Sequence, residues 1–567
     1  MLHFYDFEVF YQDWLVVIIN PTNQEKTVIV NDKKQLEKYY NKYKNDIWVG
    51  YNSRHYDQYI LKGILLGFNP YDISDFIINK DKAGWQYSNL FNKIQLYNYD
   101  CMNRFASLKT LEAFMGNNIH ETSVPFNIKR KLTIQELSET IEYCTHDVEQ
   151  TIQVFLKTKR EFDTHLNLIT TFKLPLEWIN KTQAQIIAGI LGAQKTNYND
   201  EFDVKFPDTL RLKKYLSIYG WYLSDKNRNY DNNLTIKISG VEHTFAWGGV
   251  HGAIPQFKYT CKDDEIMIMA DVSSLYPSLM IRYNYFSRSI QDPQKYIDVY
   301  ETNLKMKAEN NPLRPAYKLI CNTCYGCMKD KNNALYDPQN ANNICIAGQL
   351  LLLDLIEKLE EIPNFKLIQS NTDGILVLIK RKHFELFDDI VYEWEKRTGL
   401  SMEFSYYKKC FQKDVNNYLV VDYNGKYKSK GAYVKKLNEL DYDLPIVNKA
   451  MVEYMVNDVP VKETINNCDE LIEFQKVFKL SSKYEFVVHN GSKHTNKSYR
   501  VFASNDWMDE PLMKCKSELA TREKFANTPE HCFIQNGNIK GFKVPEKLDK
   551  EWYVDIAKER LSQFGVL

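Results

Sequence analysis

A multidomain protein of α/β and α+β construction is what this sequence predicts. Its 567 residues exceed what one hydrophobic core encloses, so roughly two to four domains are expected. Apolar residues make up 44% of the chain, Tyr and Phe are scattered throughout, and no Pro-, Ser- or Gly-rich tract marks a flexible linker. Short β-prone runs alternate with stretches of helical period, and acidic residues recur where one gives way to the other.

Composition narrows the function classes. Lys plus Arg and Asp plus Glu both total 73, so no net field advertises nucleic-acid binding, and any such contact must come from local clusters. One cluster is KYKSKGAYVKK, Lys426 to Lys436, which is equally a solvated face. The start MLHFYDFEVF has neither the basic residues nor the cleavage site of a signal peptide, and no apolar run approaches the ~20 residues that span a bilayer. A cytoplasmic protein without membrane contact is expected, its 11 cysteines remaining as thiols.

The strand-like YDFEV sets Asp6 and Glu8 two apart, on one face, where both can reach a cation. The segment IWVGYNSRHYD ends a strand and enters the helix DQYILKGIL, placing Asn52, Tyr56 and Asp57 at the junction. In a helix beginning at ELSETIEY, Tyr143 and Asp147 stand four apart and share a face. Four acids so placed could hold two divalent cations for phosphodiester hydrolysis, with the Tyr143 hydroxyl orienting water. The ordered set D-x-E, N-x3-Y-D, Y-x3-D resembles the proofreading 3′→5′ exonuclease domain of family B DNA polymerases, of the DEDDy group. That resemblance implies an RNase H-like fold. Within ASLKTLEAF, Ser107 and Leu108 match the family's Ser/Thr-Leu element for the single-stranded primer end; a helix N-cap at Ser107 with Leu108 in the core reads equally well.

A second set of residues follows. EIMIMADVSSLYPSLM is a buried strand ending at Asp271, then a turn, since Pro277 cannot continue a central ladder. It resembles motif A of the same family, DxxSLYPS. AYKLICNTCYGCM reads as a helix closed by Gly326, with Lys318, Asn322 and Tyr325 on one face, and resembles motif B. FKLIQ and ILVLI flank S-N-T-D-G, a hairpin that resembles motif C, usually DTD, with Asn371 in place of the first acid and Asp373 in place of the second. FAWGGVHGA resembles in part the Y-x-G-[GA] element of protein-primed phage members, with Trp247 departing from it. NNYLVV keeps only Tyr418 of the K-x-Y element, since Asn416 stands where lysine is expected. The spacing of Cys321, Cys324 and Cys327 is not read as a metal site, because no fourth ligand is suitably placed.

The family resemblance implies roles for these positions. Asp271, the Val272 carbonyl and Asp373 would bind two Mg2+ ions in the polymerase site, with Mn2+ able to substitute, and Asp6, Glu8, Asp57 and Asp147 would bind the editing pair. Asn371 keeps hydrogen-bonding capacity and removes one charge. Ser274, Leu275, Tyr276, Lys318, Asn322 and Tyr325 would contact the incoming deoxynucleoside triphosphate, Tyr276 excluding a 2′-hydroxyl; Lys305 or Lys307 could add a phosphate contact. Asn52, Tyr56, Ser107, Leu108, Gly248, Gly249, Tyr418, Lys428 and Lys430 would contact DNA. The expected organisation is exonuclease 1–190, linker and start of palm 191–260, palm 261–300, fingers 301–362, palm 363–435, and thumb with C-terminal elaboration 436–567, in a right-hand polymerase.

The expected protein is thus a monomeric, template-directed DNA polymerase with proofreading, of compact bacteriophage type, acting on primer–template DNA. A replication accessory or terminal protein is a further candidate partner. Only 47 positions separate Asp271 from Lys318 and 55 separate Lys318 from Asp373, which leaves little room for the insertions of protein-primed enzymes. Two alternatives stand beside this reading: a DEDDy exonuclease with an inactive palm, for which Asn371 speaks, and a non-catalytic DNA-binding replication protein.

Overall fold

Alternation along the first strand organises the N-terminal half. In LHFYDFEV, Phe4, Asp6 and Glu8 leave one face while Tyr5, Phe7 and Val9 leave the other. Phe4 packs edge-on against Phe155, ring centroids 5.1 Å apart, and the opposite set joins a core with Trp48, Ile60 and Leu61. Each fully buried side chain of this size contributes on the order of 1.5–3 kcal/mol. Two acids are thereby carried under a helix that an apolar neighbour anchors.

This is the computed structural model of the chain, describing residues 1–102 and 106–566. The strand, β1 (Leu2–Val9), is central in a five-stranded sheet with β2 (Trp14–Asn20), β3 (Glu25–Val30), β4 (Ile47–Gly50) and β5 (Tyr97–Asp100), in the order β3-β2-β1-β4-β5. β2 is antiparallel to β1 and β3, whereas β1, β4 and β5 run parallel. The helices of this region are α1 (Lys33–Tyr43), α2 (Asp57–Leu66), α3 (Pro70–Ile78), α4 (Leu108–Phe114), α5 (Ile134–Lys157) and α6 (Lys159–Thr171).

α5 starts before the ELSETIEY run because Thr133 and Glu136 form a reciprocal cap: the Thr133 hydroxyl accepts from the Glu136 amide and the Glu136 carboxylate accepts from the Thr133 amide. Its buried residues Cys144, Asp147, Val148, Thr151, Val154 and Phe155 recur every three or four positions, giving one face against β1 and β2.

The chain divides into two compact units: Met1–Thr182 with Leu437–Pro445 and Cys468–Trp552, and Gln183–Lys436 with Ile446–Asn467 and Tyr553–Leu567. Residues 437–567 are shared out between the two units.

The second unit opens with α7 (Gln183–Ile190) and α8 (Leu216–Leu223). Its strands are β6 (Asn233–Ile238), β7 (Val241–Ala246), β8 (Gly249–Ala253), β9 (Phe257–Thr260), β10 (Glu265–Val272), β11 (Lys366–Ser370), β12 (Gly374–Lys380), β13 (Met402–Tyr407), β14 (Lys409–Asp414), β15 (Asn417–Val421) and β16 (Tyr427–Lys430). Seven form an antiparallel sheet, β13-β10-β12-β11-β8-β7-β6, and four form another, β16-β15-β14-β9. β10 and β12 are central and apolar, as EIMIMADV and GILVLIK require.

Helices α9 (Leu275–Arg282), α10 (Gln294–Ala308), α11 (Arg314–Lys329), α12 (Pro338–Leu359) and α13 (Phe384–Thr398) complete the unit's main body. α12, buried along nearly its whole length, packs against α9, α11, α13 and β8. The expected stop at Gly326 is corrected: α11 runs on to Lys329, because Cys327 and Met328 are buried and hold the last turn. α14 (Pro445–Asn457) and α15 (Val461–Asn467) follow, the first unit regains the chain for β17 (Lys476–Lys479) to β23 (Cys532–Ile534), and α16 (Lys550–Ser562) ends in the second unit. Among the described residues, no helix is long and apolar enough to cross a membrane.

Candidate active sites

In the first unit four acids converge. β1 brings Asp6 and Glu8, the first residue of α2 brings Asp57, and α5 brings Asp147. The Asp6 and Glu8 carboxylates and the Cys144 sulfur lie within 4.8 Å of one another. Asp57 is 3% exposed and accepts from the Phe7 amide at 3.1 Å, which ties the start of α2 to β1.

Burial raises the affinity of this cluster for protons. Asp6 and Glu8 are pushed well above the usual carboxylate range, first by desolvation and then by the charges of the other acids. Desolvation takes Asp57 to about 7. Asp147 reaches about 6, desolvation outweighing the attraction of Lys109. The Tyr143 phenol is raised by burial and by Asp147, Glu8 and Asp6, so it stays protonated and can donate. Buried carboxylates in this number demand positive charge, and all four offer hard oxygen donors, which suits Mg2+ or Mn2+.

Lys109 supplies one positive charge. Its ammonium, on α4, bonds Asp147, lies 3.1 Å from Glu112 and stands 4.7 Å above the Tyr143 ring. Glu112 is fully buried and its other oxygen lies 3.3 Å from Nε2 of His146. Cys144 stays a thiol, raised by burial, and donates to the Asp6 carbonyl at 3.4 Å. Beside Glu8 a cleft of about 350 Å3 opens between Tyr56, Tyr71, Ser74 and Phe126.

The other predicted contacts of this unit take structural posts. Tyr56 donates to the Ser74 hydroxyl at 2.8 Å. Asn52 adopts positive φ, its amide held by Asp100 at 2.9 Å. Ser107 is the N-cap of α4, accepting from the Thr110 amide, and Leu108 packs beside Leu111 and Met115.

In the second unit β10 pairs with β12 so that Asp271 faces Gly374, and the Val272 amide donates to the Asp373 carbonyl at 2.7 Å. A Cβ on Gly374 would stand 2.2 Å from Asp271 Oδ1, so the hairpin closes against the Asp271 carboxylate without any side chain between. Asp271 is raised by partial burial, with Lys428 pulling it down and Asp373 pushing it up. The Lys428 ammonium, from β16, lies 3.5 Å from Asp271 Oδ2. Tyr418 on β15 is buried behind the pair, its phenol pushed up to about 12 by burial and by the charges of Asp271, Tyr407 and Asp373.

Asn371 has a definite task. Its Oδ1 accepts from the amides of Asp373 and Gly374, at 3.1 and 3.2 Å, and its own amide donates to the Gly374 carbonyl at 3.0 Å. An Asp oxygen could do the same, so the turn is indifferent to the substitution while the local charge is not.

Around this centre, Ser274 holds the turn into α9 at φ 50° and Leu275 is buried in the core. Tyr276 stacks on Tyr325, ring centroids 3.9 Å apart and planes at 22°. Lys318 and Asn322 are exposed on α11, whereas Tyr325 turns inward. Cys321, Cys324 and Cys327 are free and buried, their thiols raised by desolvation, so they pack the helix. Lys307 on α10 lies 3.5 Å from Glu403, which pairs across from Asp271 on β13, while Lys305 is exposed. Gly248 turns the β7–β8 hairpin beside the fully buried Trp247, and a Cβ on Gly249 would meet Thr372 Oγ1 at 3.5 Å. Lys430 is exposed on β16.

Sequence reasoning missed Lys109, Glu112, Cys144, Asp100 and Glu403. Only Lys109 had a local signal, a lysine next to Leu108 at the start of a short helix.

No protein-family model matches the sequence, and no curated protein matches it. Among solved structures the chain is similar to the family B DNA polymerase from the hyperthermophilic archaeon Pyrobaculum calidifontis, with 13% identity, 99% of this chain and 77% of that one covered, and a TM-score of 0.41. A likeness at that level fixes neither fold nor activity.

Proposed function

We propose that the chain is a template-directed DNA polymerase with a 3′→5′ proofreading exonuclease, the polymerase site in the second unit and the exonuclease in the first. The observation that carries the reading is the meeting of Asp271 with the Asp373 turn across the β10–β12 register, far apart in sequence yet locked by the Val272–Asp373 hydrogen bond. The exonuclease reading is supported by the strand order β3-β2-β1-β4-β5 with β2 alone reversed, as in RNase H-like domains, and by four acids converging on its central strand.

In the second unit, Asp271, the Val272 carbonyl and Asp373 would hold two divalent cations, whose chemistry is to activate the primer 3′-hydroxyl and stabilise charge on the transferred phosphoryl group. The Tyr276–Tyr325 stack provides a flat wall for sugar and base and excludes a 2′-hydroxyl. Exposed Lys318 offers charge to the triphosphate, and Lys428 and Lys430 to the DNA backbone. In the first unit, Asp6, Glu8, Asp57 and Asp147 would hold the second cation pair, and the protonated Tyr143 orients the attacking water. Asn371 favours a working palm over a decayed one, because its side chain preserves the turn that presents Asp373.

Primer extension and single-strand trimming in Mg2+ test the reading. Asp271→Ala is expected to lower synthesis by about a hundredfold or more while trimming persists, and Asp57→Ala to do the reverse, the scale being that of a lost electrostatic stabiliser. Synthesis surviving in Asp271→Ala would refute the palm assignment.

A further inference from the structure

The last part of the first unit contributes a fully buried arginine. Arg500, on β20 (Ser498–Ala503), is 0% exposed, and among the described residues its guanidinium has no carboxylate hydrogen-bond partner. It bonds backbone carbonyls instead. Nη1 donates to Gln535 at 3.2 Å and Gly537 at 2.8 Å. Nη2 donates to Ala113 at 2.9 Å, Asn117 at 2.8 Å and, more weakly, Glu112 at 3.5 Å.

The Glu112 and Ala113 carbonyls belong to the last turn of α4 and that of Asn117 lies just beyond it, at the helix end where a cation is favoured; the first two also accept from the Asn117 and Gly116 amides, at 3.0 and 3.1 Å. Burial draws the guanidinium down to about 10, so it keeps its charge at neutral pH. Neighbouring bonds grip the same end: Gln475 Nε2 donates to the Phe114 carbonyl, the Ile119 amide to Asn536, and the Ile539 amide to Gly116. From the other side, Asn117 Nδ2 donates to Gln150 and Gln153 of α5. α4 is therefore clamped between a C-terminal segment nearly 400 residues away in sequence and the helix that carries Tyr143 and Asp147. In its first turn α4 presents Lys109 to Asp147 of the acid cluster.

We propose that Arg500 is a positioning residue of the trimming reaction: by fixing the end of α4 it holds Lys109 on Asp147 and beside Tyr143. This rests on the exonuclease reading of the first unit. Arginine is required for its fork, since a lysine at 500 reaches carbonyls on one side only. Without the fork the Glu112 and Ala113 carbonyls keep only their local backbone partners, and the link from β20 to the end of α4 is lost.

The test uses the full chain and four proteins: parent, Arg500→Lys, Lys109→Ala and the double variant. Trimming of a single-stranded oligodeoxynucleotide, extension of a matched primer and thermal unfolding are measured for each. Arg500→Lys is expected to lower the trimming kcat about tenfold, with KM changed less than about twofold, extension unchanged, and the protein folded at the assay temperature. The double variant is expected to trim no more slowly than the slower single variant, because Arg500 acts through Lys109. Arg500→Met serves if the lysine variant fails to fold, with the same expectations. Losses that multiply in the double variant, trimming and extension falling together, or a folded variant trimming like the parent would each overturn the proposal. A parent that extends but does not trim would instead remove the exonuclease reading and this proposal with it.

Discussion

At Asn371 a single side chain separates two demands that an aspartate there would serve together. Its oxygen ends the turn by accepting from the Asp373 and Gly374 amides, which is geometry, and it leaves the charge near Asp271 one unit less negative, which is electrostatics. The two are separable by substitution. Asn371→Asp keeps the acceptor and adds the charge, so the Mg2+ concentration for half-maximal primer extension is expected to fall several-fold with the maximal rate preserved. Asn371→Ala removes the acceptor and leaves two amides without it, costing about 1 kcal/mol of local stability and slowing extension about tenfold. Titration of extension rate against Mg2+ reads both; an alanine variant indistinguishable from the parent would show that the turn holds itself.

Among elements, the β11–β12 hairpin shows how little tolerance the acid pair has. A Cβ at Gly374 would meet Asp271 Oδ1 at 2.2 Å and the Ala270 carbonyl at 2.7 Å, and the latter is backbone that cannot swing aside. Gly374→Ala is expected to part β12 from β10 at this end, costing about 1–3 kcal/mol of overpacking and abolishing extension while trimming continues. Extension at the parent rate would mean that the hairpin end is free to shift. Elements such as this one were legible in sequence because their periods are short: two for Asp6 and Glu8 on β1, four for Tyr143 and Asp147 on α5, an Asp-Gly turn between β-prone runs. Arg500 was not, since SYRVFA reads as a strand with an ordinary surface arginine and its partners lie on α4, nearly 400 positions away. The stop placed at Gly326 failed for a related reason: glycine propensity is local, and burial of Cys327 and Met328 overrode it. Nor does any pattern along the chain record which core each piece of 436–567 joins.

For the whole molecule, two units with separate cores predict unfolding that is not two-state, and the two acid clusters predict how each step responds to pH and metal. The first unit buries Glu8, Asp57 and Asp147 beside a half-buried Asp6, and the second only partly buries Asp271, so metal-free strain is concentrated in the first. The sign follows from Asp57. Its folded value of about 7 lies above its ordinary 3.8, so the native state holds the proton more tightly than the unfolded chain does. That contribution is fully present below about pH 4 and is lost as pH rises to about 7; Asp147, at about 6, loses its own contribution over a slightly lower window. The loss is on the order of a few kcal/mol. In chelator, Asp57→Asn should therefore grow progressively more stable than the parent between pH 4 and pH 7 and gain nothing further above. Mg2+ should reverse the order at pH 7.5, since the parent keeps four ligands and the variant three, and the stabilisation grows with free Mg2+ by mass action. Calorimetric scans in chelator and in Mg2+ across this range read both effects on one transition, while the other responds less. A variant whose advantage is constant across the window would show that the Asp57 carboxyl is not held protonated by its surroundings, and a transition indifferent to Mg2+ would remove the cation site from the first unit.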